Sequence, residues 1–559
     1  VGGVLVFGDG GVCGGGREAT LEGRGLMGFA PHITLGIYLL LLLGLGVVSM
    51  LKSRKAAHAE EDYYLSSRGQ GVLVTSLTIM ATYFSGFAIL TFPGWVYSDG
   101  IAPMLYALNL PVAAMAIYIL GNRIRRIGKK RGYITPADMI ADYYGESPWI
   151  RGLVTLVGAL YVIPYVVMQV KAGGILARGL FPEAAPIPLW GMELTIEDAG
   201  VGALSLVTML DVIVGGMRSV AWTDVLQGLL LLSAMLLSGL AIMNALGGPS
   251  GYFAEVSKLD GSLLTMPEAP ERFNVWQATT FCLFASLASI VQPAQWMRFY
   301  AARSSKTLRQ SAIAFGSILP VCFIFGVFLV GLGGRALYPM VDGVLPEGMS
   351  KPDDIVIKVI QDQFPAMFGA FGIVLVSLIL VAVMAASMST ADSNLHALSA
   401  VATRDVYHQA RPRSTEKERT WFGRGVIVVA TVGAAAISYL GNNSDLLTTL
   451  TAFFFLAMAF SAQLLPVTVD LLFVRRGSKA GAMAGMLAGI LTVCLFPPLG
   501  TLLLGEENVL VGGAGTLKAL LDVGFCGIVV NVLLFVVVSR FTRKPDAARR
   551  EAFRVDLLP

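Results

Sequence analysis

Between Ala386 and Asp405 the chain reads ASMSTADSNLHALSAVATRD, and Ser389, Thr390, Asp392 and Ser393 lie inside an apolar run that begins near Ala366 and is long enough to cross a bilayer. At about 100° per residue, Ala386, Ser389, Thr390 and Ser393 share roughly a third of a helix circumference, with Asp392 on the flank beside Ser389. Hydroxyls and a carboxylate at membrane depth are costly unless they face a bundle interior, a cavity or an ion. Hard oxygen donors suit an alkali or alkaline-earth cation better than zinc or copper. The first chemistry suggested is the capture of a small cation inside a membrane.

The elements that must position this stripe are membrane helices. With 55% hydrophobic and 14% charged residues over 559 positions, and a mean hydropathy of +0.70, the chain is a polytopic membrane protein and not a soluble enzyme. Hydropathy predicts an all-α protein with about thirteen spans. Basic loops fall on one side: Lys52, Arg54 and Lys55, then Arg123 to Arg131, Arg411 to Arg419, and the tail from Arg540. Glu183, Glu193, Asp342, Glu347, Asp353, Glu506 and Glu507 fall on the other. Positive-inside logic then puts the amino terminus outside and the carboxy terminus in the cytoplasm, in a cell (inner) membrane. The net charge of +4 is spread over these short loops, so no nucleic-acid partner is expected. The five cysteines show no CxxC or zinc spacing, and no HExxH, GxSxG or P-loop assembles a catalytic centre. The Gly-rich residues 1–26 are expected to be disordered, and Met27 is a candidate for the true start.

Two spans are interrupted. TSLTIMATYFSGFAILTFPGWVY carries Ser85-Gly86 in mid-membrane, and FCLFASLASIVQPAQWMRF carries Pro293 between Gln292 and Gln295. Broken helices five spans apart point to an inverted-repeat transporter with its site near the bilayer midplane.

The runs VGGMRSVAWTDVLQG (Val214 to Gly228), AASMSTADSNLHALSAVATRDVY (Ala385 to Tyr407) and ATYFSGFAILTFPGWVYSDG resemble the sodium:solute symporter family, over nearly all of residues 30–545. The resemblance implies a leucine-transporter-like fold: residues 27–70 as leading helix and first loop, inverted five-helix repeats at 71–246 and 276–474, two trailing helices at 475–540 and a cytoplasmic tail at 541–559. It implies Na+ as coupling ion, held by the main-chain carbonyls of Ala81, Phe84 and Ala386 and the hydroxyls of Ser389 and Thr390. Asp224, in Trp222-Thr223-Asp224, matches a position on the family's sodium exit route or second sodium site. Asp392 stands where members with that second site have serine, followed by Ser393. It fits a stronger second cation site shared with Asp224, a protonatable group, or an acid paired with a nearby base. Tyr83 replaces the aspartate of proline-type members, which argues against proline.

Candidate solute contacts are Phe87, Asn109, Gln169, Gln292 and Gln463. Gln292, at the second break, is the best placed. Arg298 is expected at the inner end as a snorkelling or inner-gate residue, and His396 as a packed polar group. The resemblance thus implies a sodium-coupled symporter importing a small organic solute across a lipid bilayer, with amino acid, monocarboxylate, vitamin and neutral solute all open. The alternative is a transporter-like membrane sensor, although only about twenty Arg-rich residues follow the last span. Sodium count and oligomeric state are left open.

Overall fold

In the computed structural model, the described residues are 32–49, 51, 59–181, 185–189, 192–266, 274–441, 450–497, 499–505 and 508–557. Residues 1–26, Met27, the loop cations Lys52, Arg54 and Lys55, and the acids Glu183, Glu506 and Glu507 lie outside them.

Nine helices among the described residues are long and apolar enough to cross a membrane, and eleven crossings result if each of two sharply bent helix pairs is one span. The 50-residue helix Ile196–Ala245 is broken at Gly216 (φ 57°, ψ −160°), and Lys479–Leu495 is apolar but only 17 residues long. Counting that break and that short helix gives the thirteen crossings expected from hydropathy. Gly216 is required where it stands, because a Cβ there would meet the Tyr63 ring at 2.6 Å and its carbonyl at 2.8 Å. A small antiparallel hairpin, Ile187–Leu189 with Met192–Leu194, departs from the all-α expectation. It occupies a connection between spans, where backbone groups can pair without lipid around them.

The two expected breaks are present. Helix Val72–Tyr83 stops where Phe84 turns extended (φ −81°, ψ 111°), and the chain resumes as Phe87–Asp99 at an angle of 65°. A Cβ on Gly86 would meet Ser387 Oγ at 2.6 Å and Ala172 Cβ at 2.8 Å, so only glycine allows this close approach. Helix Val275–Val291 ends at extended Gln292, and Pro293, which has no N–H to continue the ladder, starts Pro293–Ala301 at 55°.

Helix Ala370–Val401, which carries the oxygen stripe, packs against Pro148–Leu180 and Ile196–Ala245 and is buried continuously from Ala385 to Val401. The leading helix His32–Ser49 is peripheral, with Leu40 70% exposed to the lipid region. On the Arg-rich side, Arg151 Nη1 meets Asp138 at 2.7 Å and Asp405 at 2.6 Å, and Arg419 meets Glu60 at 3.1 Å. These ion pairs tie together elements far apart in sequence at that end.

Candidate cation cage and solute cavity

Five oxygens gather where the first broken span meets the stripe helix. Thr390 Oγ1 lies 3.1 Å from the carbonyl oxygens of Ala81 and Phe84 and 3.2 Å from that of Ala386. Ser389 Oγ lies 3.2 Å from the Ala81 carbonyl and 2.9 Å from that of Ala386. The break frees the Ala81 and Phe84 carbonyls, since the Ala88 amide turns to Ser85 instead of Phe84. Two hydroxyl protons face three carbonyls, so acceptor lone pairs outnumber donors in a fully buried cluster. Surplus oxygen acceptors at a helix interruption suit a small hard cation.

Toward the Arg-rich end, Asp224 accepts from Thr78 Oγ1 and from Arg298 Nη2 at 3.0 Å. Arg298 also donates to Ser393 Oγ, to Thr78 Oγ1 at 2.9 Å and to the Ala294 carbonyl at 3.0 Å. With 1% exposure, Arg298 does not snorkel; it is a buried cation held by one carboxylate and several neutral oxygens. A second cation at Asp224, Asp392 and Ser393 would have to share its place with this guanidinium, which already engages Asp224 and Ser393. Asp392 pairs with no base among the described residues. It lies instead against Asp211, which accepts from Ser219 Oγ at 3.0 Å and Thr223 Oγ1 at 3.3 Å. His396 packs between Tyr63 and Tyr64, as a buried polar group.

Beside the cage is a cavity walled by aromatic rings. Tyr83, Ser85 and Phe87 from the first broken span line it, with Asn109, Ser289 and Gln292 among its polar groups and Trp95, Tyr106, Phe281, Phe454 and Phe455 among its rings. Phe87 stacks on Phe454 with ring centroids 4.2 Å apart. Tyr83 donates to Asn109 Oδ1 at 2.6 Å, and the buried Gln292 Oε1 has no hydrogen-bond partner. No charged side chain among the described residues lines this cavity.

Phe87, Asn109 and Gln292 are therefore at the cavity, whereas Gln169 and Gln463 are not. Gln169 Oε1 accepts from the Gly86 amide at 3.1 Å and so fixes the break itself. Gln463 faces the trailing helices: it donates to the Ala459 carbonyl and accepts from Asn531 Nδ2 at 3.1 Å. Sequence reasoning missed Tyr83 and Tyr165 as cavity walls, Asp211 as the neighbour of Asp392, and the Phe454-Phe455 pair. Only the last had a signal, the aromatic run in TAFFFLAMAF.

Residues 63–489 match the Sodium:solute symporter family. The high-affinity proline transporter PutP of Bacillus subtilis (strain 168) is 26% identical over 493 residues, 87% of this chain and 96% of its own length. The sodium/proline symporter of Staphylococcus aureus (strain Newman) is 25% identical over 531 residues, 92% of this chain and 93% of its own. The substrate-bound, outward-open structure of a Na+-coupled sialic acid symporter superposes with a TM-score of 0.72 at 18% identity, covering 93% of this chain and 99% of that one. The fold is thus the leucine-transporter-like fold of sodium symporters. The chain belongs to the sodium:solute symporter family, and it is a multi-pass membrane protein that couples the movement of a small solute to sodium.

Proposed function

We propose that Ala81, Phe84, Ala386, Ser389 and Thr390 hold a sodium ion as a cotransported substrate, and that the solute is a small zwitterionic amino acid, with proline as the first candidate. The observation that carries this is the surplus of buried carbonyl oxygens at the junction of the broken span and the stripe helix. Coupling is supported by distance along the chain. The Phe84 carbonyl belongs to the cage, while Tyr83, Ser85 and Phe87, one to three residues away, line the cavity. A cation that fixes the Ala81–Phe84 turn against the stripe helix also fixes the cavity wall, so each ligand raises the affinity for the other by the same factor.

An uncharged cavity favours a solute of zero net charge, because an unpaired ion there would lose its hydration without compensation. The free Gln292 Oε1 suits the ammonium of such a solute, and the rings suit its apolar body. The relatives named as proline transporters support the choice of proline, although Tyr83 leaves the first broken span without an acid. Asp224 with Arg298 closes the route from the cage toward the Arg-rich side, the cytoplasmic side by positive-inside logic, with the amino terminus outside. Residues 71–246 and 276–474 act as the two repeats that rock about this centre in alternating access.

The test is uptake of radiolabelled proline into proteoliposomes under an inward sodium or potassium gradient. Sodium-driven accumulation, displaced by excess unlabelled proline and not by a monocarboxylate, supports the proposal. Accumulation without sodium, or sodium-driven uptake of the monocarboxylate alone, contradicts it.

A further inference from the structure

A second cavity, separate from the aromatic one, opens at the Arg-rich end of helix Asn109–Arg131. It has a volume of about 390 Å³ and is lined by Arg123, Arg126, Arg475 and Arg554, with no acidic side chain among its walls in the described residues. Arg123 donates to the Leu472 carbonyl at 3.0 Å and lies 4.2 Å from the Phe473 ring centroid. Arg475 donates to the same carbonyl at 3.1 Å, and Arg126 donates to the Leu557 carbonyl at 2.9 Å. Glu551, paired with the largely exposed Arg554 at 2.7 Å, is the one acid these four arginines meet in an ion pair among the described residues. The positive charges repel one another across the cavity, and the carbonyls that Arg123, Arg126 and Arg475 reach carry no countercharge. Arg475 also holds a left-handed backbone (φ 55°), a conformation that is strained for any residue but glycine.

The other wall is apolar. Tyr118, Ile119 and Leu557 line it beside Asn122, and Met115, about one turn before Ile119 on the same helix face, continues the strip beyond the cavity; Met115 and Ile119 are 64% and 46% exposed. A guanidinium cluster matches the oxygens of a phosphodiester, and an adjoining apolar strip matches hydrocarbon. We propose that this cavity binds the headgroup of an anionic phospholipid, whose acyl chains follow Tyr118, Ile119 and Met115. The bound headgroup ties helix Ala547–Asp556, through Arg554, to helix Asn109–Arg131 and to the end of span Leu450–Val474, through Arg475. Basic pockets at the inner membrane face are where such headgroups are recognised.

The test uses the purified full chain in nonionic detergent, titrated with dioleoylphosphatidylglycerol, dioleoylphosphatidylcholine or inorganic phosphate, with binding read by native mass spectrometry and by thermal unfolding. The phosphatidylglycerol is expected to bind and raise the unfolding temperature, while the phosphatidylcholine does neither. Arg475→Gln with Arg554→Gln should weaken phosphatidylglycerol binding by about tenfold or more, whereas Arg543→Gln with Lys544→Gln, exposed on the same side, should leave it unchanged. Arg554→Gln alone, at an exposed side chain, serves as the variant least able to disturb folding and should show part of the loss. Equal stabilisation by phosphatidylcholine, or equal loss in the Arg543/Lys544 variant, overturns the proposal. Inorganic phosphate that saturates the effect and displaces the lipid also overturns it, by making this a free-anion site. None of these readouts requires a transported solute, so failure here leaves the sodium cage untouched.

Discussion

Replacing Thr390 by valine removes one oxygen and keeps the shape of the side chain. Thr390 Oγ1 lies within 3.2 Å of all three cage carbonyls, so it is the oxygen most central to the cluster. A hydrogen-bond-like contact to a charged group contributes about 1.5–3 kcal/mol. In the sodium-free protein the same hydroxyl makes an ordinary contact of about 1 kcal/mol, and Ser389 can still serve the Ala81 carbonyl. The difference between the two states is therefore roughly 0.5–2 kcal/mol, which raises the sodium concentration for half-saturation by about two- to thirtyfold. Purified wild type and Thr390→Val are titrated with sodium at constant ionic strength, choline making up the balance, and the unfolding temperature is followed. Sodium-free unfolding temperatures should differ by only a few degrees, and the variant's sodium curve should shift to higher concentration. A curve that superposes on the wild type would show that Thr390 does not hold the ion, since the valine side chain cannot coordinate a cation.

Asp224→Asn leaves the Arg298 guanidinium buried without its carboxylate and should cost about 3–5 kcal/mol in stability; pairing it with Arg298→Gln should recover part of that loss, and purely additive losses in unfolding temperature would count against the buried pair. Gly86→Ala forces a Cβ to within 2.6 Å of Ser387 Oγ, so about 1–3 kcal/mol of strain is expected together with a smaller sodium-induced thermal shift; an unchanged shift would separate the break from the cage. Phe454→Ala removes the ring stacked on Phe87 and should raise the KM of uptake by about two- to tenfold, with sodium binding unaltered in the absence of solute. Gln463→Leu should lower the unfolding temperature, through loss of the Asn531 contact, while leaving KM unchanged; a KM effect without a stability effect would return Gln463 to the cavity.

The stripe of Ser389, Thr390 and Asp392 was legible because polar side chains in an apolar run violate the composition around them. The breaks at Ser85-Gly86 and Pro293 were legible for a similar reason, since glycine and proline act locally on the backbone. Ala81 and Phe84 carry no such mark: their contribution is a main-chain carbonyl, which every residue has, and the family resemblance alone pointed to them. Arg298 and Asp224 are 74 positions apart, so their pairing depends on how the second broken span meets Thr78 and Ile196–Ala245. Nothing in local sequence encodes that meeting. Gln463 misled because a buried amide looks the same whether it faces a solute or, as here, Asn531 on a trailing helix. The thirteen crossings could be counted from hydropathy, but the hairpin at 187–194 escaped because its strands are only three residues long.

Sodium, on the reading proposed above, binds between the Ala81–Phe84 turn and the stripe helix. Hydrogen exchange on the purified protein in sodium, compared with an equal concentration of potassium, tests it without knowledge of the solute. Sodium should slow exchange together in peptides spanning 81–89 and 386–394, and Thr390→Val should abolish both effects at the same sodium concentration. Slowed exchange confined to other segments, or the same protection in potassium, would mean that this junction is not the sodium site.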